Sequence, residues 1–288
     1  MSMRKRFWTL ALSALFAPLA FAAELHPPAQ VTAGTSFSIS SSGGGNATFY
    51  MVGPSHALKR DVQLGKEIAI AADDVKTAGK YVAIACGSDG CNSAPFYVVA
   101  GPADRLSFLL HPSRVPVKAA DAINATAFVF DKFHNPVLEP VDVTFRVEPK
   151  DSPAFTRTVK SVQGVAWMRM SSTTKGGPVK VTATVNSASE PRIIQQVASD
   201  ACNLRIKATP SKHGYVIETD PVRDCSGNMV PDGTVVSFTK VDASGKSTVD
   251  APIKKGVART ELPVAGKATV SVASGVVIGN EISLGGRS

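Results

Sequence analysis

The chain writes one sentence twice. Asp131-Lys-Phe-His-Asn135-Pro-Val-Leu-Glu-Pro-Val-Asp-Val-Thr-Phe145 aligns without a gap on Asp224-Cys-Ser-Gly-Asn228-Met-Val-Pro-Asp-Gly-Thr-Val-Val-Ser-Phe238, about 93 residues later. In each copy a turn-rich Asx and Pro cluster, joined by Gly in the second, feeds an alternating run of Val, Thr or Ser, and Phe, the pattern of a turn entering a half-buried strand. Recurrence at this spacing predicts tandem all-β domains. Further blocks repeat in the same order. Leu106 with His111-Pro-Ser113 answers Leu204 with Thr209-Pro-Ser211, and Gly164-Val-Ala-Trp-Met-Arg-Met170 answers Gly256-Val-Ala-Arg-Thr-Glu-Leu262. Gly177-Pro-Val-Lys-Val-Thr-Ala-Thr-Val185 answers Gly266-Lys-Ala-Thr-Val-Ser-Val272. No segment keeps a helical period between caps, so helices should be a minor component.

The N-terminus indicates the compartment. Arg4, Lys5 and Arg6 precede an apolar run from Phe7 to Phe21, and Ala20-Phe21-Ala22 has the small, large, small pattern of a signal-peptidase site. Residues 1–23 therefore read as a signal peptide removed near Ala22 or Ala23. A membrane anchor fits less well: the run holds about 15 residues and a Pro18 break, against roughly 20 needed to span a bilayer. No second apolar stretch of spanning length follows, so the mature chain is expected to lie in the periplasm, at the cell surface or outside the cell. Cleavage removes three positive charges, taking the formal +8 to about +5. That charge is too dilute for a nucleic-acid footprint, which needs clustered Lys and Arg interleaved with aromatics.

Export places the four cysteines in an oxidising compartment. Cys86 and Cys91 bracket a glycine-rich turn between strand-like runs, and Cys202 and Cys225 belong to one later domain. Pairing Cys86 with Cys91 and Cys202 with Cys225 keeps both bridges within domains. A zinc site is the rival, but no nearby His or Cys completes four ligands.

Three domains are expected, at residues 24–101, 102–199 and 200–288. In the first, Phe37-Ser-Ile39, Thr48-Phe-Tyr-Met-Val52, Asp61-Val-Gln-Leu64, Glu67-Ile-Ala-Ile70, Lys80-Tyr-Val-Ala-Ile-Ala85 and Pro95-Phe-Tyr-Val-Val99 are short strand-like runs. Asp74 to Tyr81 looks like the corner before a late immunoglobulin strand, where a Tyr hydroxyl ties back upstream. Ser40 to Asn46 reads as a flexible loop.

The Asp224-x-x-Gly-Asn-Met-Val-Pro-Asp-Gly-Thr-Val-Val-Ser-Phe238 block, with Gly256-Val-Ala258 and Ala268-Thr-Val-Ser-Val272, resembles the bacterial immunoglobulin-like repeat of the invasin and intimin adhesins. The resemblance is clearest in residues 200–288 and weaker in 102–199, where His134 stands at the motif's Gly. It does not extend to residues 24–101, which are only generically immunoglobulin-like. It implies a tandem array of β-sandwich domains with spacer or adhesive architecture, which in that family forms stiff rods. The chain departs from the family in lacking a barrel, a lectin-like tip and a surface-sorting tail.

Catalytic signatures fail on spacing. Gly245-Lys-Ser247 resembles the end of a phosphate-binding loop, but Lys240 occupies the position of its required glycine. His26, His56, His111, His134 and His213 are scattered singly in turn-like surroundings. No catalytic, cofactor-binding or metal residue is assigned, and a non-enzyme is expected. Asp131/Asn135 and Asp224/Asn228 read as turn-stabilising Asx pairs; a calcium site would need more oxygens than two per turn provides.

The chain therefore reads as a non-catalytic exported adhesion, interaction or spacer protein of the cell envelope, with a protein or envelope polysaccharide as partner. A subunit or accessory of a larger surface assembly is one alternative. A carbohydrate-binding module is another, for which Trp167 and the Phe49/Tyr50 and Phe96/Tyr97 pairs are the available aromatics. In the second domain's strand, Val165, Trp167 and Arg169 alternate with Ala166, Met168 and Met170. The matching strand carries Val257, Arg259 and Glu261 against Ala258, Thr260 and Leu262, so charge marks the Trp167 face as outer. Trp167 is the candidate partner contact.

Overall fold

A computed structural model describes residues 23–285. The expected signal peptide, except Ala23, lies outside them. The chain divides into two compact units, residues 1–101 and 102–288. Both are built from largely antiparallel sheets, and among the described residues the helical content is a 3-10 turn at Ala72–Val75. No helix among them is long and apolar enough to cross a membrane.

In the first unit a five-stranded sheet runs in the order Gln30–Thr32, Gly90–Val99, Gly79–Gly87, Asn46–Val52, Ala57–Gln63. The second sheet comprises Glu24–His26, Phe37–Ser42 and Ile68–Ile70. Period-two alternation sends Phe49, Met51, Tyr81, Ala83 and Phe96 inward from the first sheet and Ile39, Ile68 and Ile70 from the second. Phe37 meets Phe96 edge-on, with centroids 5.5 Å apart, where the sheets pack. The Ser40 to Asn46 reading needs correction: Ser40, Ser41 and Ser42 are strand residues paired with His26, Leu25 and Glu24. The small hydroxyl side chains extend that pairing, Ser41 Oγ donating to the Lys66 carbonyl (2.7 Å) and accepting from the Gly65 amide (3.2 Å).

Tyr81 makes the expected tie-back, its hydroxyl donating to the Thr77 carbonyl at 3.0 Å. Its ring stacks on Phe96 at 5.4 Å and lies so close to Gly53 that a Cβ there would come within 2.1 Å of it. Gly53→Ala must push a fully buried ring out of its site. It should destabilise this unit by about 1–3 kcal/mol, read as a lower urea midpoint.

The second unit holds two sandwiches. Residues 102–199 contribute a sheet ordered Arg114–Pro116, Ala188–Val197, Gly177–Val185, Asp142–Pro149, Phe155–Lys160, and a second ordered Val165–Met170, Ile123–Phe130, Arg105–His111. Phe108 and Phe145 meet between them at 5.8 Å. As in the first unit, a short early strand pairs parallel to the last one, Arg114–Pro116 against Gln195–Val197 here and Gln30–Thr32 against Tyr97–Val99 there.

The remaining residues form a four-stranded sheet of Gly245–Pro252, Val235–Asp242, Ala268–Ser274 and Val277–Leu284 and a three-stranded sheet of Ile206–Ser211, Gly214–Thr219 and Arg259–Leu262. Ile217, Val236, Phe238, Ile253 and Val270 are fully buried between them. The inward positions of Val235–Asp242 run Val236, Phe238, Lys240. Lys240 is buried because its ammonium is paired with Asp242 at 2.7 Å and donates to the Pro263 carbonyl at 2.8 Å. Lys240, joined by donors from Ser244 and Ala265, holds the Asp242 carboxyl well below the usual carboxylate range.

Candidate functional site

The twice-written sentence folds into the same hydrogen-bonded knot in both sandwiches of the second unit. The Asp131 amide donates to the Asn135 carbonyl, Val137 to Val129, and Val129 to Gly164; Asp224 donates to Asn228, Val230 to Val222, and Val222 to Gly256. Gly164 and Gly256 have φ of +80° and +85°, preceded by Gln163 at +50° and Lys255 at +53°. Two successive positive φ values make the tight hairpin turn that suits strand twist, so Gly recurs there. His134, at +67°, takes the left-handed conformation that Gly227 adopts at +83° without steric cost.

Each Asp fills its turn with acceptors. Asp131 Oδ1 accepts from the Phe133 and Asn135 amides (2.8 and 2.9 Å), and Asp224 Oδ1 from those of Ser226 and Asn228 (2.8 and 2.9 Å). Both Asn side chains also donate to their own Asp. Carboxylates ringed by N–H donors in this way serve the turn. Among the described residues no group of three or more His, Cys, Asp and Glu is placed to hold a metal.

Asn228 does more than its sequence pattern indicates. Its Oδ1 accepts from the Gly176 amide (2.9 Å) and its Nδ2 donates to the Thr174 carbonyl (2.9 Å), both in the preceding sandwich. Asp224 Oδ2 accepts from the Ser199 amide in the connection (3.1 Å). A side-chain amide reading a peptide carbonyl and a nearby N–H at once fixes orientation as well as distance. Burial works to raise the Asp224 carboxyl, but donors from Asn228, Ser199 and Ser226 outweigh it and hold the group below its ordinary value. A depressed folded value means the stabilisation is complete above about pH 4 and is lost as pH falls through the folded value. The amide proton shifts of Ser199, Ser226 and Asn228 should therefore titrate together, with a midpoint below about 4; separate midpoints would contradict a shared carboxylate.

Cys202 and Cys225 are bridged, S–S 2.02 Å, joining the Ala201–Cys202 strand to the turn beside Asp224. Cys86 and Cys91 are bridged across the Gly79–Gly87 and Gly90–Val99 hairpin. Gly245 to Ser247 lie in an antiparallel hairpin between Val235–Asp242 and Gly245–Pro252, which lacks the strand-to-helix frame that phosphate binding uses.

Among the sequence-selected aromatics, Phe49 and Phe96 are core, while Tyr97 is 54% exposed. Trp167 is 59% exposed, with Ala166, Met168 and Met170 buried beneath the same strand. Strand register sets Trp167 opposite Thr126, and Thr126 opposite Leu109, which is 56% exposed. Alternation signals Trp167; Leu109 becomes visible only once the three strands are in register.

No protein-family model and no curated protein matches the chain. Solved structures do. The Escherichia coli adhesin FdeC is 16% identical and superposes with a TM-score of 0.61, over 91% of this chain and 95% of that one. The described residues have the immunoglobulin-like fold of bacterial adhesin arrays. Invasin, a bacterial integrin-binding protein, is 14% identical with a TM-score of 0.51, over 89% of this chain. The alignment spans 57% of the invasin chain, and at these identities the likeness is one of adhesin-type fold.

Proposed function

We propose that this chain is an exported, non-catalytic interaction protein of the bacterial envelope, whose sandwiches both space and display a binding face. The observation that carries the reading is the Asn228 junction, which couples adjoining sandwiches through two side-chain hydrogen bonds to backbone. A fixed junction suits a protein that presents a surface, and the disulfides and the adhesin-type fold support the same reading. Three sandwiches with boundaries near residues 101 and 199 belong to it.

The chain from Ala23 onward, immobilised and washed with envelope extract from its own source, should retain a protein or a polysaccharide stoichiometrically. A chain that retains nothing would overturn the reading. The alternative, a permanent subunit of a larger assembly, draws on the Gly245–Pro252 edge strand, whose first six residues are exposed and available for strand pairing. It requires co-purification at fixed stoichiometry from undisturbed cells.

A further inference from the structure

The outer face of the three-stranded sheet in residues 102–199 is built differently from its counterparts. Three rows cross it: His111, Asn124 and Arg169; Leu109, Thr126 and Trp167; Ser107, Phe128 and Val165. In the following sandwich the row matching Leu109, Thr126 and Trp167 is Lys207, Glu218 and Arg259, where Lys207 and Glu218 form an ion pair at 3.5 Å. In the first unit the middle strand of the corresponding sheet presents Ser38, Ser40 and Ser42 outward. Two of three sandwiches thus keep this face largely polar, with Val216 the apolar member of the outward Thr209, Val216 and Glu261 row. The fold does not require apolar groups here, and the Leu109, Phe128 and Trp167 face has another use.

Its size and chemistry point to the occupant. Strands about 4.8 Å apart and same-face residues about 6.8 Å apart give nine positions spanning about 10 by 14 Å. A stable protein interface buries about 800 Å² per partner, several times that patch. The face carries an indole for stacking, and Ser107, Thr126, Asn124 and His111 within its rows supply hydrogen-bond partners for sugar hydroxyls. Arg169 is the one fixed charge among the nine residues. Its Nε donates to Asn124 Oδ1 (3.2 Å), which orients both the guanidinium and the Asn124 amide. We infer that this face binds an acidic saccharide, a sugar ring stacking on Trp167 and a carboxylate meeting Arg169. The inference rests on the reading of the chain as an interaction protein and names the partner class.

The chain holds two tryptophans, Trp8 and Trp167, so a chain beginning at Ala23 reports this face alone by fluorescence. Titration with a glucuronate-containing oligosaccharide should change Trp167 emission saturably, and a matched neutral oligosaccharide should bind at least about tenfold more weakly. Leu109→Glu and Thr126→Glu each place a carboxylate in the Trp167 row, which repels an anionic ligand while keeping the fluorophore. Each should weaken binding about tenfold or more, and the second serves if the first fails to fold. No saturable response, or equal binding by the folded variants, overturns the inference. Capture of a protein through Trp167 with no saccharide response overturns it too, while leaving the wider interaction reading intact.

Discussion

Phe238→Ala should remove about 3–5 kcal/mol from the last sandwich and leave the first unit untouched. Phe238 is wholly buried at the centre of a cluster with Val236, Ile217, Ile253 and Val270, so truncation leaves a cavity that surrounding strands cannot close without breaking register. Because every buried member of that cluster lies within residues 201–284, with Ala198 packing against its edge, calorimetry should show one transition moving to lower temperature. A uniform shift of all transitions would mean that the sandwiches do not melt separately and that a boundary near residue 199 is wrong. Phe145→Ala, at the matched place in the preceding sandwich, should move a different transition by a similar amount.

Replacing both Cys202 and Cys225 with Ser should cost the last sandwich about 3 kcal/mol, since the bridge closes a loop across a separation of 23 residues. The Cys86–Cys91 bridge, across a separation of 5, constrains the unfolded chain less, and its removal should lower stability by a smaller amount. Denaturant midpoints of the two double variants give the ranking directly; the reverse order would mean that the short bridge does more than restrain its hairpin. The Cys202 and Cys225 change should also loosen the Asp224 turn, so the Ser199 and Asn228 amides should lose protection in hydrogen exchange.

The repeated blocks were legible because their turn residues answer a backbone demand: an acceptor for turn amides at Asp131 and Asp224, a positive φ at Gly164 and Gly256. Such demands recur wherever the turn recurs. The outward position of Trp167 was legible for a related reason, since the matched strand carries Arg259 there. Lys240 was not. Its counterpart in the preceding sandwich is Val147, buried, and the ammonium is tolerable there because Asp242, two residues along the same strand, and the Pro263 carbonyl both partner it. The reach of Asn228 to Thr174 and Gly176 was invisible for a different reason: a side-chain amide that stabilises its own turn and one that also grips a neighbour have the same sequence. Ser40–Ser42 misled because serine and glycine runs look like loop, whereas pairing with Glu24–His26 satisfies their backbone.

The Cys202–Cys225 bridge acquires a further meaning when the chain is pulled. Tension transmitted from residue 199 enters the last sandwich at the Ala201–Cys202 strand, the segment that would peel away first. The covalent link passes that force straight to Cys225, so the intervening segment, about 80 Å when extended at about 3.4 Å per residue, cannot pay out. A tether built this way lengthens less before failing, and its compliance is set by the redox state of two sulfurs.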